Sequence, residues 1–80
     1  VAAAPADRDE LKAAFGRRVR GLREAAHMSQ EQLAGRAGLH HTYISSVERG
    51  KRNVTLLAIH QLAHGLGVAP SALVDGDGHR

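Results

Sequence analysis

Residues 29–50, SQEQLAGRAGLHHTYISSVERG, decide the fold. Ser29 stands ahead of an apolar-periodic run with Gln32 three residues on, the spacing of a capping box. That spacing predicts a helix over about Gln30–Ala37, with Leu33, Ala34 and Ala37 facing inward and Gly38 as its stop. A second helix is predicted over about His41–Arg49, with Ile44 and Val47 on its inner face and Gly50 at its end. Only Gly38-Leu39-His40 joins the two, and so short a connection sets helices at a steep angle instead of folding them into a hairpin. The crossing needs a small side chain where the helices come closest, and Ala34 supplies it. The turn needs left-handed backbone, which costs little only for glycine, and Gly38 supplies that. Leu33, Ala37, Leu39, Ile44 and Val47 are apolar where the pair must face the rest of the domain. Generic helix packing does not demand this alanine and this glycine together.

Upstream, Asp7 with Glu10 three residues later predicts a weaker capping box. Leu11, Phe15, Val19, Leu22 and Ala26 then mark one stripe on a helix of roughly five turns. Downstream, Thr55 caps a fourth helix whose predicted stripe is Leu56, Ile59, Leu62 and Ala63, with Gly65 and Gly67 as its stop. Pro70 opens a short fifth helix ending at about Val74. No segment alternates as a strand does. The expected fold is all-α with five short helices over residues 7–74, a disordered arm at 1–6 and a flexible Gly/Asp-rich tail at 75–80.

Eighty residues make one domain, and a chain this short buries only about 60–65% of its unfolded surface, leaving a thin margin of stability. There is no cysteine, so disulfides and thiolate metal sites are excluded. No apolar stretch exceeds four residues, too short to span a membrane. No charged-then-apolar leader is seen, and the expected location is the cytoplasm. His60 and His64 have the i, i+4 spacing of a helical metal pair, but no nearby Cys, Asp or Glu completes a site; no metal or cofactor is expected. A catalytic set with a pocket to hold it is missing as well, so the chain reads as a non-enzyme.

The net charge is +3, and its placement says more than its size. Residues 1–16 and residues 53–80 each carry −1. Residues 17–52 hold eight bases (Arg17, Arg18, Arg20, Arg23, Arg36, Arg49, Lys51, Arg52) against Glu24, Glu31 and Glu48, a net of +5. Such clusters are often only solvated faces. Phe15 and Tyr43 are the only aromatics, which leaves single-strand and RNA stacking modes poorly supplied. Six histidines allow binding to an anion to depend on pH.

Residues 11–74 resemble the lambda-repressor/Cro-like helix-turn-helix family, often called XRE-like. The strings that carry the resemblance are Val19-Arg20-Gly21-Leu22-Arg23, Ser29-Gln30-Glu31-Gln32-Leu33-Ala34, Ala37-Gly38-Leu39 and Tyr43-Ile44-Ser45-Ser46-Val47-Glu48-Arg49-Gly50. Within that family, the run from Gly38 to Ser45 and the segment Arg52-Asn53-Val54-Thr55-Leu56 are similar to controller proteins of restriction–modification systems. Controller proteins commonly carry Arg where this chain has His41, so their base preference is not carried over there.

The resemblance implies that the third helix enters the major groove, where every base pair shows its own donor/acceptor pattern. His41, Thr42, Ser46 and Ser45 are then the expected base readers. Gln30 at the start of helix two is expected on a phosphate, and Arg49, Lys51, Arg52 and Asn53 on the backbone beyond the recognition helix. Arg17 and Arg36 are further phosphate candidates. Arg23 and Glu48 match positions that usually pair across the core, a structural role. Leu57, on the solvent face of helix four beside Val68, Pro70 and Val74, is expected at a homodimer interface. The reading that follows is a dimeric regulator of transcription on a palindromic operator in double-stranded DNA, with RNA polymerase a further partner. A phage or plasmid repressor or an antitoxin is the alternative within that class, and a protein-binding module that never touches DNA is the alternative outside it.

Overall fold

The computed structural model describes residues 7–74; the arm at 1–6 and the tail at 75–80 lie outside the described residues. Five helices follow one another, and no strand occurs among the described residues. Helix α1 spans Arg8–Ala25, α2 Gln30–Ala37, α3 His41–Glu48, α4 Leu56–Leu66 and α5 Ser71–Val74. The all-α, five-helix expectation is met.

Local chemistry explains the boundaries. Ser29 Oγ accepts from the Gln32 amide at 3.0 Å while Gln32 Oε1 accepts from the Ser29 amide at 2.8 Å, so the box at α2 closes on both sides. Thr55 Oγ1 caps α4 through the Ala58 amide. At α1 the expected box does not form. Asp7 accepts from the Asp9 amide, and the Glu10 carboxylate turns outward to Arg17 at 3.2 Å. Four left-handed residues end helices or leave them: His27, Gly38, Gly50 and Gly67. After each, an amide reaches back to a carbonyl five residues earlier (Met28 to Arg23, Leu39 to Ala34, Lys51 to Ser46, Val68 to Ala63), the six-to-one bond of a Schellman turn.

The core draws on every helix: Val19, Leu33, Ile44, Val47, Leu62 and Leu73 are fully buried. Phe15 and Leu22 pack against it. The ends of the α1 stripe do not, since Leu11 is 56% exposed and Ala26 lies beyond the last helical turn. On α4 the inward face is Ala58, Leu62, Ala63, Gly65 and Leu66. Leu56, expected inward, is instead 73% exposed, and Ala58 is the residue of that first turn that is buried. Gly65, expected to stop α4, is a buried residue inside it; only Gly67 is left-handed. A Cβ on Gly65 would lie 2.9 Å from Leu33 Cδ1 and 3.0 Å from Ala37 Cβ, so the glycine is what lets α4 close on α2. Gly16 does the same for α1 and α3, where a Cβ would overlap the Val47 carbonyl oxygen.

Candidate nucleic-acid interface

The steep α2–α3 unit presents one short helix outward. Ile44 and Val47 anchor α3 in the core, which leaves His41 and Thr42 exposed at its start, with Ser45 and Ser46 half-buried on the next turn. The His41 ring stacks on His40 with centroids 5.1 Å apart. Thr42 Oγ1 lies 2.8 Å from His40 Nδ1, and Ser46 Oγ donates to the Thr42 carbonyl at 3.0 Å. These are small polar groups on a helix about 12 Å long, a shape that fits a groove about 12 Å wide.

At the other end of α3 a charged knot sets its angle. Arg23 grips Glu48 with two parallel hydrogen bonds, Nε to Oε2 at 2.6 Å and Nη2 to Oε1 at 2.9 Å, and gives a third to the Met28 carbonyl. Both side chains are nearly buried, 11% and 4% exposed. The bond to Glu48 raises the Arg23 pKa further above its already high ordinary value, against the opposing effect of burial. Gln30 Nε2 donates to the same carboxylate at 3.0 Å. Expected on a phosphate, the Gln30 amide thus gives one hydrogen inward and keeps the other. The same bond brings the N-terminus of α2 beside the end of α3, where the basic run begins.

That run is presented outward. Arg49, Lys51, Arg52 and Asn53 are all exposed. Arg49 donates to the Ser45 hydroxyl, and the Arg52 guanidinium lies 5.1 Å from the centroid of the Tyr43 ring, a cation–π contact that ties the loop to α3. The Lys51 amide closes the turn onto the Ser46 carbonyl, while the side chains of Lys51 and Asn53 make no hydrogen bond or ion pair among the described residues. Arg36 is exposed on the last turn of α2. Arg17 is engaged with Glu10 on α1, and nothing brings it to the α3 face. Three contributors escape a reading of the sequence: His40, Tyr43 and the glycine pair Gly16 and Gly65. A polar residue directly before a predicted helix points to His40 and a glycine inside a predicted helix to Gly16, whereas Gly65 reads as a helix stop and no local signal marks Tyr43.

Of the expected interface residues, Leu57 is 69% exposed and Val74 58% exposed, and Leu56 adjoins Leu57. Val68 is half-buried against the core, and Pro70 is half-buried as well. Val74 shares an apolar groove with Leu11, Phe15 and Val54 that Leu57 does not line. No group of three or more His, Cys, Asp or Glu side chains gathers among the described residues, and none of their helices is long and apolar enough to cross a membrane.

A family model for a helix-turn-helix domain matches residues 14–75. Control protein C.BamHI of Bacillus amyloliquefaciens is 46% identical over 68 residues, 84% of either chain. Control protein C.MunI of a Mycoplasma species is 41% identical over 66 residues, 81% of this chain and 89% of that one. Among solved structures, the restriction–modification controller protein C.AhdI of Aeromonas hydrophila shares 47% identity and superposes with a TM-score of 0.76, covering 78% of this chain and 94% of its own. With the helix-turn-helix, its charged knot and its outward basic run all in place, the chain belongs to the helix-turn-helix domain family and, within it, to the controller proteins of restriction–modification systems.

Proposed function

We propose that this protein is a sequence-specific regulator of transcription that binds double-stranded DNA as a dimer, on a palindromic operator, as a restriction–modification controller. It acts by occupancy and not by catalysis, in the cytoplasm, where an operator-bound dimer also meets RNA polymerase. One observation carries the reading most: the Gln30–Glu48 bond gathers the N-terminus of α2 and the exposed basic run at one end of a polar, short-side-chain helix. That arrangement suits a duplex, with phosphates held at the edge and bases met in the middle. In this reading His41, Thr42, Ser46 and Ser45 face base edges, while Gln30, Arg49, Lys51, Arg52, Asn53 and Arg36 hold backbone. Leu57 and Val74, with Val68 and Pro70 behind them, form the two-fold contact that spaces half-sites roughly 34 Å apart. The phosphate expectation for Arg17 is retained only for the case that Glu10 releases it.

Selection of bound sites from a random duplex library tests the whole reading. A palindrome of fixed spacing is the expected outcome; a pool that stays random would leave the domain as a protein-binding module. Salt titration tests the basic run. Lys51→Ala and Arg52→Ala are each expected to weaken specific and non-specific binding alike and to flatten the slope of log affinity against log salt by about 0.9 for each phosphate that goes unneutralised. An unchanged slope would reduce these side chains to solvated charges at a helix end.

A further inference from the structure

The cap of the recognition helix is a histidine, and it touches a residue placed against the bases. His40 precedes α3 with extended backbone, and its side chain accepts from the Thr42 amide, with 3.2 Å between the amide nitrogen and Nδ1. A backbone N–H can only donate, so Nδ1 bears no hydrogen and the ring carries its proton on Nε2. The Thr42 hydroxyl stands 2.8 Å from the same nitrogen. An unprotonated nitrogen and an oxygen at that distance require the hydrogen of the oxygen between them, so Thr42 donates to His40. Its proton is spent, and only lone pairs and the methyl remain for a partner outside. Ser46 is in the same condition, its hydrogen given to the Thr42 carbonyl.

We propose that His40 is a positioning residue for base recognition: in its neutral form it makes the Thr42 hydroxyl an acceptor alone, which selects a base with an exocyclic amine. This rests on the reading of α3 as the helix that enters the major groove. There adenine offers N6–H and cytosine N4–H as donors, whereas guanine O6 and N7 and thymine O4 are acceptors that would oppose the Thr42 lone pairs. Protonation of His40 reverses the bond. Nδ1–H then donates to Thr42 Oγ1, the hydroxyl hydrogen is released toward the groove, and the Thr42 amide loses its cap. A cation at the first turn of a helix is also disfavoured by the helix dipole, so the acid form weakens the start of α3 while inverting the hydrogen-bonding sense of Thr42.

Few charged or titratable groups bear on His40. The His41 ring lies on it within α3. Of the elements packed around this turn, α2 carries Glu31 and Arg36 and α4 carries His60 and His64, all exposed, and none has a hydrogen bond or ion pair with His40 among the described residues. A change of charge elsewhere on this face alters binding to every sequence, whereas the His40–Thr42 bond acts at the position Thr42 reads. The diagnostic quantity is therefore a ratio of affinities between bases at one operator position.

The experiment uses the full chain and an operator taken from library selection. The position read by Thr42 is found as the one whose base preference disappears in Thr42→Ala. At pH 8 the wild type is expected to prefer adenine or cytosine there by about tenfold. In His40→Ala, which removes the acceptor of the Thr42 hydroxyl hydrogen, that ratio is expected to collapse toward one, while ratios at positions that neither Thr42 nor His41 reads stay constant. His40→Asn keeps an acceptor at the cap and should retain most of the wild-type ratio. Nitrogen-15 spectra of the His40 ring in the DNA-free protein supply an independent reading, with an unprotonated Nδ1 expected at pH 8. A ring found with its neutral proton on Nδ1, or a Thr42 position whose preference survives His40→Ala in the folded protein, would overturn the proposal and leave the regulator standing. A library that enriches no site would overturn the regulator reading itself, and this proposal with it.

Discussion

Two joints hold the helix-turn-helix in place, and they are built from opposite materials. Between α2 and α4 the contact is largely dry: Leu33 and Ala37 meet Gly65, and the joint's polar link is Gln61 Nε2 donating to the Ala37 carbonyl at 3.3 Å. Between α1 and α3 the backbone also comes close at Gly16, but the closure ends in the nearly buried pair of Arg23 and Glu48. Apolar packing rewards burial and is indifferent to small rotations. A two-pronged guanidinium–carboxylate grip has one good orientation. The difference places the orienting interaction on α3, the helix proposed to enter the groove, and leaves α2 to be held by bulk.

Breaking the charged joint has the largest expected effect. Glu48→Ala strands Arg23 without its partner, a loss of about 3–5 kcal/mol, against a total stability of about 5–15 kcal/mol for a domain. Urea unfolding measures it; a change under about 1 kcal/mol, the range of an exposed pair, would mean that the joint does not depend on charge. The double variant Arg23→Met, Glu48→Leu sharpens the contrast. Well-packed apolar replacements of a buried pair often restore stability, so this variant is expected to regain most of the loss while binding its operator less selectively. Full selectivity in that variant would remove the distinction between the joints.

Gly16→Ala and Gly65→Ala compare the joints on equal terms, since each gains the same helix propensity. At Gly16 the new methyl meets backbone, overlapping the Val47 carbonyl oxygen and lying 2.9 Å from that of Glu48. Overpacking there is expected to cost about 3 kcal/mol. At Gly65 the nearest atom is the tip of a Leu33 side chain, which yields more easily, but Ala37 Cβ and backbone nitrogen lie at 3.0 and 3.1 Å, and the expected cost is about 2 kcal/mol. Thermal melts of the two variants rank them, and the reverse order would show the α1–α3 approach to be the more compliant one. The smallest effect is a gain. His27 ends α1 with φ 59°, next to Met28, whose carbonyl serves the charged knot. His27→Gly is expected to stabilise by about 1 kcal/mol by removing that left-handed penalty, seen as a raised Tm.

What is legible in the sequence is chemistry that acts within a few residues. Ser29 and Gln32 mark the start of α2 because a capping box needs only three residues of separation, and Gly38 marks its end because φ 72° favours glycine. The errors lie where a distant partner decides. Leu56 fits the periodicity of α4, but Ala58 is the residue of that first turn that is buried. Gly65 and Gly67 look alike in sequence; one is required by the side chains of α2 and the other by the backbone of its own turn. In the candidate site, the exposure of His41 and Thr42 follows from their place opposite the inward Ile44 and Val47. Gln30 reads as outward-facing until α3 is in place, and only then does its bond to Glu48 become visible. His40 reads as part of the turn because imidazole is an uncommon cap, although its place before α3 is where a cap belongs.

The repeated left-handed turns bear on how quickly the domain forms. Helices of 8 residues, as α2 and α3 are, are too short to persist alone in water. Their stop signals, however, close through amides and carbonyls only five residues apart, so chain ends meet before any distant contact is needed. Topologies dominated by such near neighbours refold on the order of microseconds to milliseconds. Assembly is then a matter of stacking short rods already delimited at their ends, and its slow step is expected to be the docking of α5 against α1, which closes the longest stretch of chain.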